Sequence, residues 1–451
     1  MQYYIEILDY VLLPFYLAII YFLAYRVRNN AYPKNHPWRN YYIPALSLKI
    51  FGAIFVALVY QYYYGGGDTS EYFRHATVIN SSADESISKW FGLITRTARW
   101  DDPEYFNYTS QMQWYEDPAS YLVASITAFV NIFTFNSYLP TSVLLAYISF
   151  SGVWALFRTF ASNYPKLVRP IAIAILYIPS TYVWGSGIFK DTICLFGLGW
   201  LTYGTFRMLV HRDFSFKNLA LAILSFTLIA IVKIYILVGF VPALFMWILF
   251  SYSHNIKSWA LRWLIKVFFL GISVGSFLFF LQQFSNQLGK YSLEKIAETS
   301  ATTRSWIGYM SEVDKGSSYD LGEFAPNIGG MLTKLPAAVN VTLFRPYLWE
   351  ASKVIVFLSA IEAFLFLFLT LKIIFVIGIK KVWSTINTDP TIQFCLIFSI
   401  IFAFAVGISS YNFGALSRYK IPCLPFYALA LILIYYRNKP LTKKLFAPLG
   451  I

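Results

Sequence analysis

The stretch LALAILSFTLIAIV, residues 219–232, contains no charged side chain, and two others resemble it. They are LLPFYLAIIYFL at 12–23 and IVFLSAIEAFLFLFLT at 355–370, the latter with one acid, Glu362. Water does not solvate apolar runs of this length, whereas a bilayer core about 30 Å thick calls for about 20 such residues per helix. Of the 451 residues, 58% are hydrophobic and 13% charged, and the charges crowd into the gaps between apolar runs. The pattern predicts an all-α, polytopic integral membrane protein, a single membrane domain over 1–451.

Apolar runs place spans at 11–25, 42–63, 141–160, 171–183, 192–209, 219–232, 235–251, 264–284, 354–377, 392–409 and 421–435, about eleven in all. Between them lie basic loops at 26–39, 158–169, 207–217, 257–266, 380–381 and 437–444. Threading the spans puts all of these loops on one face, which the positive-inside rule makes cytoplasmic. The excess of 36 Lys and Arg over 22 Asp and Glu then serves topology and anionic lipid, and nucleic acid is excluded as a partner. Two runs need a choice. Residues 119–135 are apolar, but a span there would reverse the charge pattern, so a helix at the outer interface or one re-entering the bilayer is expected. Residues 219–251 read as a hairpin with Lys233 at its outer tip, the alternative being one long tilted helix.

Cys194, Cys395 and Cys423 show neither disulfide nor zinc spacing. Residues 1–10 contain Glu6 and Asp9 and no basic start, so the first run reads as a retained helix. The outer face receives two long loops, 65–140 and 285–353, rich enough in aromatics to fold as helical caps.

Four polar stretches fall on that face. The first is Gly65-Gly66-Gly67-Asp68-Thr69-Ser70-Glu71, directly after a span. Its glycines let the chain turn and leave Asp68 at the hydrocarbon boundary, suited to a general base or, alternatively, to capping the next helix. The second is Trp184-Gly185-Ser186-Gly187-Ile188-Phe189-Lys190-Asp191, where Lys190 can hold a phosphate and Asp191 a sugar or metal. A snorkelling lysine beside a capping aspartate is the plainer alternative. The third, Phe344-Arg345-Pro346-Tyr347-Leu348-Trp349-Glu350, offers a guanidinium fork and a stacking plane, or an interfacial anchor, ahead of the buried acid Glu362. In the fourth, Arg418-Tyr419-Lys420-Ile421-Pro422, two cations precede a helix on the face where topology does not ask for them. They suit a phosphate head group, or pairing with acids of the caps.

The order of these parts resembles the C-type glycosyltransferase superfamily over about two thirds of the chain, through short motifs. Asp117-Pro118-Ala119-Ser120-Tyr121-Leu122, running on through 141–158, is similar to that family's Pro-Pro-x-Tyr stretch. Arg418-Tyr419-Lys420-Ile421-Pro422 with Pro425-Phe426 is similar to its late Arg-Tyr-x-x-Pro-x-x-Pro-Phe stretch. By position, Asp68 matches the family's first-loop catalytic acid and Asp191 its second-loop acid. The chain departs from the family in an extra early helix and in lacking paired acids after the helix before Asp68. The Arg-Pro-x-x-Trp-Glu stretch also looks like envelope polysaccharide polymerases.

The resemblance implies transfer of a sugar from a polyprenyl-phosphate carrier to an outer-face acceptor, at a bacterial inner membrane. Asp68 is then the catalytic acid–base group. Lys190, Arg345, Arg418 and Lys420 hold the phosphate leaving group, Glu71 and Asp191 position sugar, and Trp349 and Glu350 line the substrate site. A magnesium or manganese ion, if used, falls to Asp68 and Asp191. The competing expectations are a transporter or flippase of a lipid-linked or anionic substrate, and a non-catalytic component of an envelope complex.

Overall fold

A computed structural model describes residues 4–253, 258, 261, 264, 268, 318–322, 324–325 and 328–449. The expected span 264–284 and most of the second outer loop, with Arg304, Asp314 and Glu323, lie outside the described residues. Among the described residues the structure is helical, without sheet, apart from one isolated bridge between Ser318 and Asn412. In chain order the helices are α1 (Ile7–Ala31), α2 (Arg39–Leu58, continued by a π-helical turn Val59–Tyr64), α3 (Asp68–Ser81), α4 (Ile87–Ile94), α5 (Phe106–Thr109) and α6 (Pro118–Asn131). They continue as α7 (Tyr138–Asn163), α8 (Val168–Leu176), α9 (Pro179–Trp184), α10 (Lys190–Leu209), α11 (Phe216–Ser253) and α12 (Ile328–Thr333). The rest are α13 (Leu335–Phe344), α14 (Val354–Ile377), α15 (Ile379–Thr388), α16 (Pro390–Ser410), α17 (Phe413–Tyr419) and α18 (Leu424–Asn438).

Among the described residues six helices are long and apolar enough to cross a membrane, seven if α17 and α18, bent by 68°, count as one broken span. They carry outward-facing apolar side chains, such as Phe15, Ile19 and Phe22 on α1 and Phe364, Phe368 and Phe375 on α14, that water would not tolerate in such numbers. Of the eleven expected spans, 264–284 lies almost wholly outside the described residues, and two others differ from what was expected. The run 171–183 breaks into α8 and α9, each too short to span. Helix α10 has 20 residues but is diluted by glycine and threonine and is largely buried among its neighbours. Residues 216–253 form two helices that meet at a kink at Lys233, at φ −150° and ψ 73°, where the sequence places the turn between two spans.

The described chain falls into two compact units, one of residues 1–168 and 181–233, the other of 169–180 and 234–451. In the first, α1, α2, α7 and α10 pack around close helix crossings. A Cβ on Gly199 would stand 1.9 Å from the Gly152 carbonyl oxygen, and one on Gly152 would stand 2.3 Å from that of Phe196, so α7 and α10 touch backbone to backbone. One end of this unit is basic and aromatic. Tyr32 accepts a hydrogen bond from Trp154 at 2.7 Å and Trp38 lies edge-on to Phe157, which brings the loop holding Lys34 and Arg39 to the end of α7. At the other end Asp9 accepts the Leu139 N–H at 2.7 Å, fixing the start of α1 to the start of α7.

That second end carries the loop 65–140, expected on the outer face, which folds as a helical cap with its own core. Ala76, Ile79, Leu93, Met112, Tyr115, Tyr121, Ala124 and Ala128 are buried together. Helix α6, expected at the interface or re-entrant, packs on α3. Its far end reaches the flank of α1, where the Tyr16 hydroxyl donates to the Phe133 carbonyl at 2.5 Å. Phe129, Ile132 and Phe133 remain exposed there.

In the second unit α13 packs on α14 and α16, and α18 on α14 and α16. Glu362 on α14 is buried and accepts from the Ser180 N–H at 2.8 Å and hydroxyl at 2.5 Å. Paired in this way, a carboxylate can sit inside an apolar helix bundle.

Candidate functional site

Span α2 ends in a π-helical turn followed by Gly65, Gly66 and Gly67, with φ of 71°, 132° and 143°. Side chains with a Cβ avoid such values, so three glycines in a row are what this exit requires. Helix α3 then begins with Gly67 in the capping position. The Ser70 hydroxyl accepts from the Gly67 N–H at 2.9 Å and donates to its carbonyl at 2.7 Å. Asp68 is the first helical residue, half-buried, where the helix dipole favours an anion.

Lys190 opens α10 and donates to Asp117 at 3.3 Å, and the charges of Lys233 and Asp68 act on it as well. Asp117 caps α6, accepting from the backbone of Ala119 and Ser120 and from the Ser120 hydroxyl. Burial tends to raise its carboxyl, but the Ser120 hydroxyl and the Lys190 ammonium outweigh that and hold it below the usual carboxylate range. Asp117 and Lys190 thus pair at the start of α10, and the Asp68 charge acts on the same ammonium.

Glu71 and Asp191 belong to other pairs. Glu71 accepts from Arg74 at 2.8 Å and from Gln113 at 3.2 Å. Beside them His75 is fully buried against Trp114, and burial with the neighbouring Arg74 charge pushes its imidazole down to about 4. Asp191, wholly buried, forms an ion pair of 2.5 Å with Lys233, the residue at the break in α11. Lys49, midway along α2, is also buried and donates to the Gly185 carbonyl, tying the glycine loop before Lys190 to the span. The Asp191 carboxylate, expected with Asp68 to hold a divalent cation if one is used, already faces the Lys233 ammonium, and no cluster of three His, Cys, Asp or Glu occurs among the described residues.

In the second unit Arg345 grips Glu350 with both arms of its fork, Nε to Oε2 at 3.0 Å, and its guanidinium lies 5.2 Å from the Phe413 ring centre. Glu350 also accepts the Tyr347 N–H at 2.7 Å. Trp349 is 82% exposed and stacks on Tyr347 with ring centres 5.0 Å apart. Lys420 is fully buried in the bend between α17 and α18, its ammonium 3.4 Å from the Arg345 carbonyl, while Arg418 is half-buried. The structure thus joins Arg345, Glu350 and Lys420 into one local group with Trp349 at its rim.

Sequence reading missed Lys49, His75 and the partners of Asp191 and Glu362. A lone lysine in the apolar run 42–63 was the available signal for the first; nothing local announces the others. No family profile, curated protein or solved structure matches the chain.

Proposed function

We propose that the protein is a membrane glycosyltransferase that moves a sugar or oligosaccharide from a polyprenyl-(di)phosphate carrier to an extracytoplasmic acceptor, in envelope glycan assembly at a bacterial inner membrane. The feature that carries this reading is Asp68 opening α3 after the glycine turn at the exit of α2, with its charge acting on the Lys190 that Asp117 holds. An acceptor hydroxyl attacks the anomeric carbon while its proton passes to the Asp68 carboxylate. The carbon–oxygen bond to the carrier breaks, and the electron pair stays on the phosphate, whose growing charge the Lys190 ammonium offsets. Asp117 holds Lys190 in place. No metal is needed for the charge balance of this step. The basic end of the first unit faces the cytoplasm under the positive-inside rule, which turns the cap outward.

One observation favours a transporter or flippase instead: the buried Asp191–Lys233 pair at the break of an apolar helix. Reconstitution separates the two. Proteoliposomes holding the purified chain and polyprenyl-linked sugars extracted from its own membranes should release carrier phosphate with an acceptor present, and should lose this with Asp68→Asn. Movement of intact carrier between leaflets without release would replace the transferase by the flippase.

A further inference from the structure

The cap carries an open cleft of about 490 Å³, lined in part by Arg96, Arg99, Trp100, Asp101, Tyr115 and Glu116. Its size is that of a small-molecule site, commonly ~300–1,000 Å³. Three features of its walls point to one kind of ligand.

Arg96 is held with care. Its backbone sits at φ 56°, a left-handed conformation that costs an ordinary residue about 1–2 kcal/mol. The guanidinium donates from Nε to the Tyr115 carbonyl at 2.9 Å and from Nη2 to the Glu116 carbonyl at 3.1 Å. It also lies 5.9 Å from the Tyr115 ring centre. Its partners are thus neutral carbonyls and rings, which fix the cation in place and leave its charge to attract an anion.

Arg99 and Asp101 pair at 3.0 Å with side chains 80% and 62% exposed. An ion pair so open to water is worth about 1 kcal/mol or less, so each partner can turn to a ligand at little cost. Both groups are planar forks, one donating and one accepting, as neighbouring sugar hydroxyls require. Trp100 between them is 44% exposed, its ring edge against Phe106, and presents an apolar plane outside the bilayer. The cap is acid-rich, yet two of its four basic residues, which are Arg74, Lys89, Arg96 and Arg99, line this cleft.

We propose that the cleft is a subsite for an acidic saccharide. A sugar ring stacks on Trp100, its carboxylate meets Arg96, and its hydroxyls engage Arg99 and Asp101. Glu116 on the cleft wall directly precedes Asp117, the partner of Lys190, so the cleft and that pair share one stretch of chain. In that respect the inference rests on the transferase reading and gives its glycan a chemical class.

The test uses the full chain in lipid nanodiscs and three soluble probes: trigalacturonate, neutral maltotriose and triglutamate. Trigalacturonate is expected to bind at millimolar concentration, the other two about tenfold or more weakly. Trp100→Ala should weaken trigalacturonate about tenfold or more, with Trp100→Phe restoring it to within about threefold. Arg96→Gly, which suits the backbone there, should lose it likewise. Equal binding of maltotriose overturns the acidic preference, equal binding of triglutamate overturns the saccharide, and silence of trigalacturonate overturns the site. Asp68→Asn should leave binding unchanged. Should that variant retain full transfer while trigalacturonate still binds, the transferase reading falls and the subsite stands.

Discussion

Replacing Asp191 by asparagine takes the carboxylate away from a buried lysine. The Asp191 and Lys233 side chains are 0% and 7% exposed and stand 2.5 Å apart, so neither charge has water to fall back on. Removing one member of such a pair costs about 3–5 kcal/mol, chiefly because the other stays charged and uncompensated. Asp191→Asn and Lys233→Met should each destabilise the chain by that amount. The double replacement Asp191→Leu with Lys233→Met removes both charges and should recover most of the loss, ending far less destabilised than the sum of the singles. Unfolding in lipid nanodiscs, followed by thermal shift and hydrogen exchange over α10 and α11, reads all of these. Single variants within about 1 kcal/mol of wild type, or a double variant as unstable as the sum of the singles, would refute the reasoning.

Three other outcomes follow from the packing. His75 titrates near 4 in the folded cap, against about 6.5 when unfolded, so the unfolded chain takes up the proton first as pH falls. Cap stability should be full above about pH 6.5 and drop by about 3 kcal/mol toward pH 4; hydrogen exchange of α3 checks it, and His75→Leu should flatten the profile. Gly199→Ala forces a methyl to within 1.9 Å of the Gly152 carbonyl oxygen and should cost about 1–3 kcal/mol in thermal unfolding, with Ser in place of Ala no better. Arg345→Lys loses the fork on Glu350 while keeping the charge, and should cost about 1.5–3 kcal/mol in the same assay, unrelieved by salt.

The membrane-crossing helices were the most legible part of the chain, because the length of an apolar run answers directly to bilayer thickness. The spans expected at 11–25, 42–63, 141–160, 354–377 and 392–409 all lie within long apolar helices. Misreadings arose where burial against protein imitates burial in lipid, as at 171–183, where the apolar run folds into two short helices. The triple glycine was legible because positive φ has few other residue solutions. What Asp191, Glu71 and Glu362 do was not legible: the partners of Asp191 and Glu362 lie 42 and 182 residues away, and tertiary packing brings them together. The fork of Arg345 on Glu350 spans only five positions, yet its expected role was to meet a ligand, since spacing alone does not say that two opposite charges neutralise each other.

The central claim is that Asp68 takes the acceptor proton in sugar transfer. Its most direct test is mass spectrometry of lipid-linked glycans from cells carrying wild type or Asp68→Asn at equal membrane abundance. The account predicts a build-up of polyprenyl-linked mono- or oligosaccharide on the outer leaflet in the variant. An unchanged lipid-linked pool would contradict it.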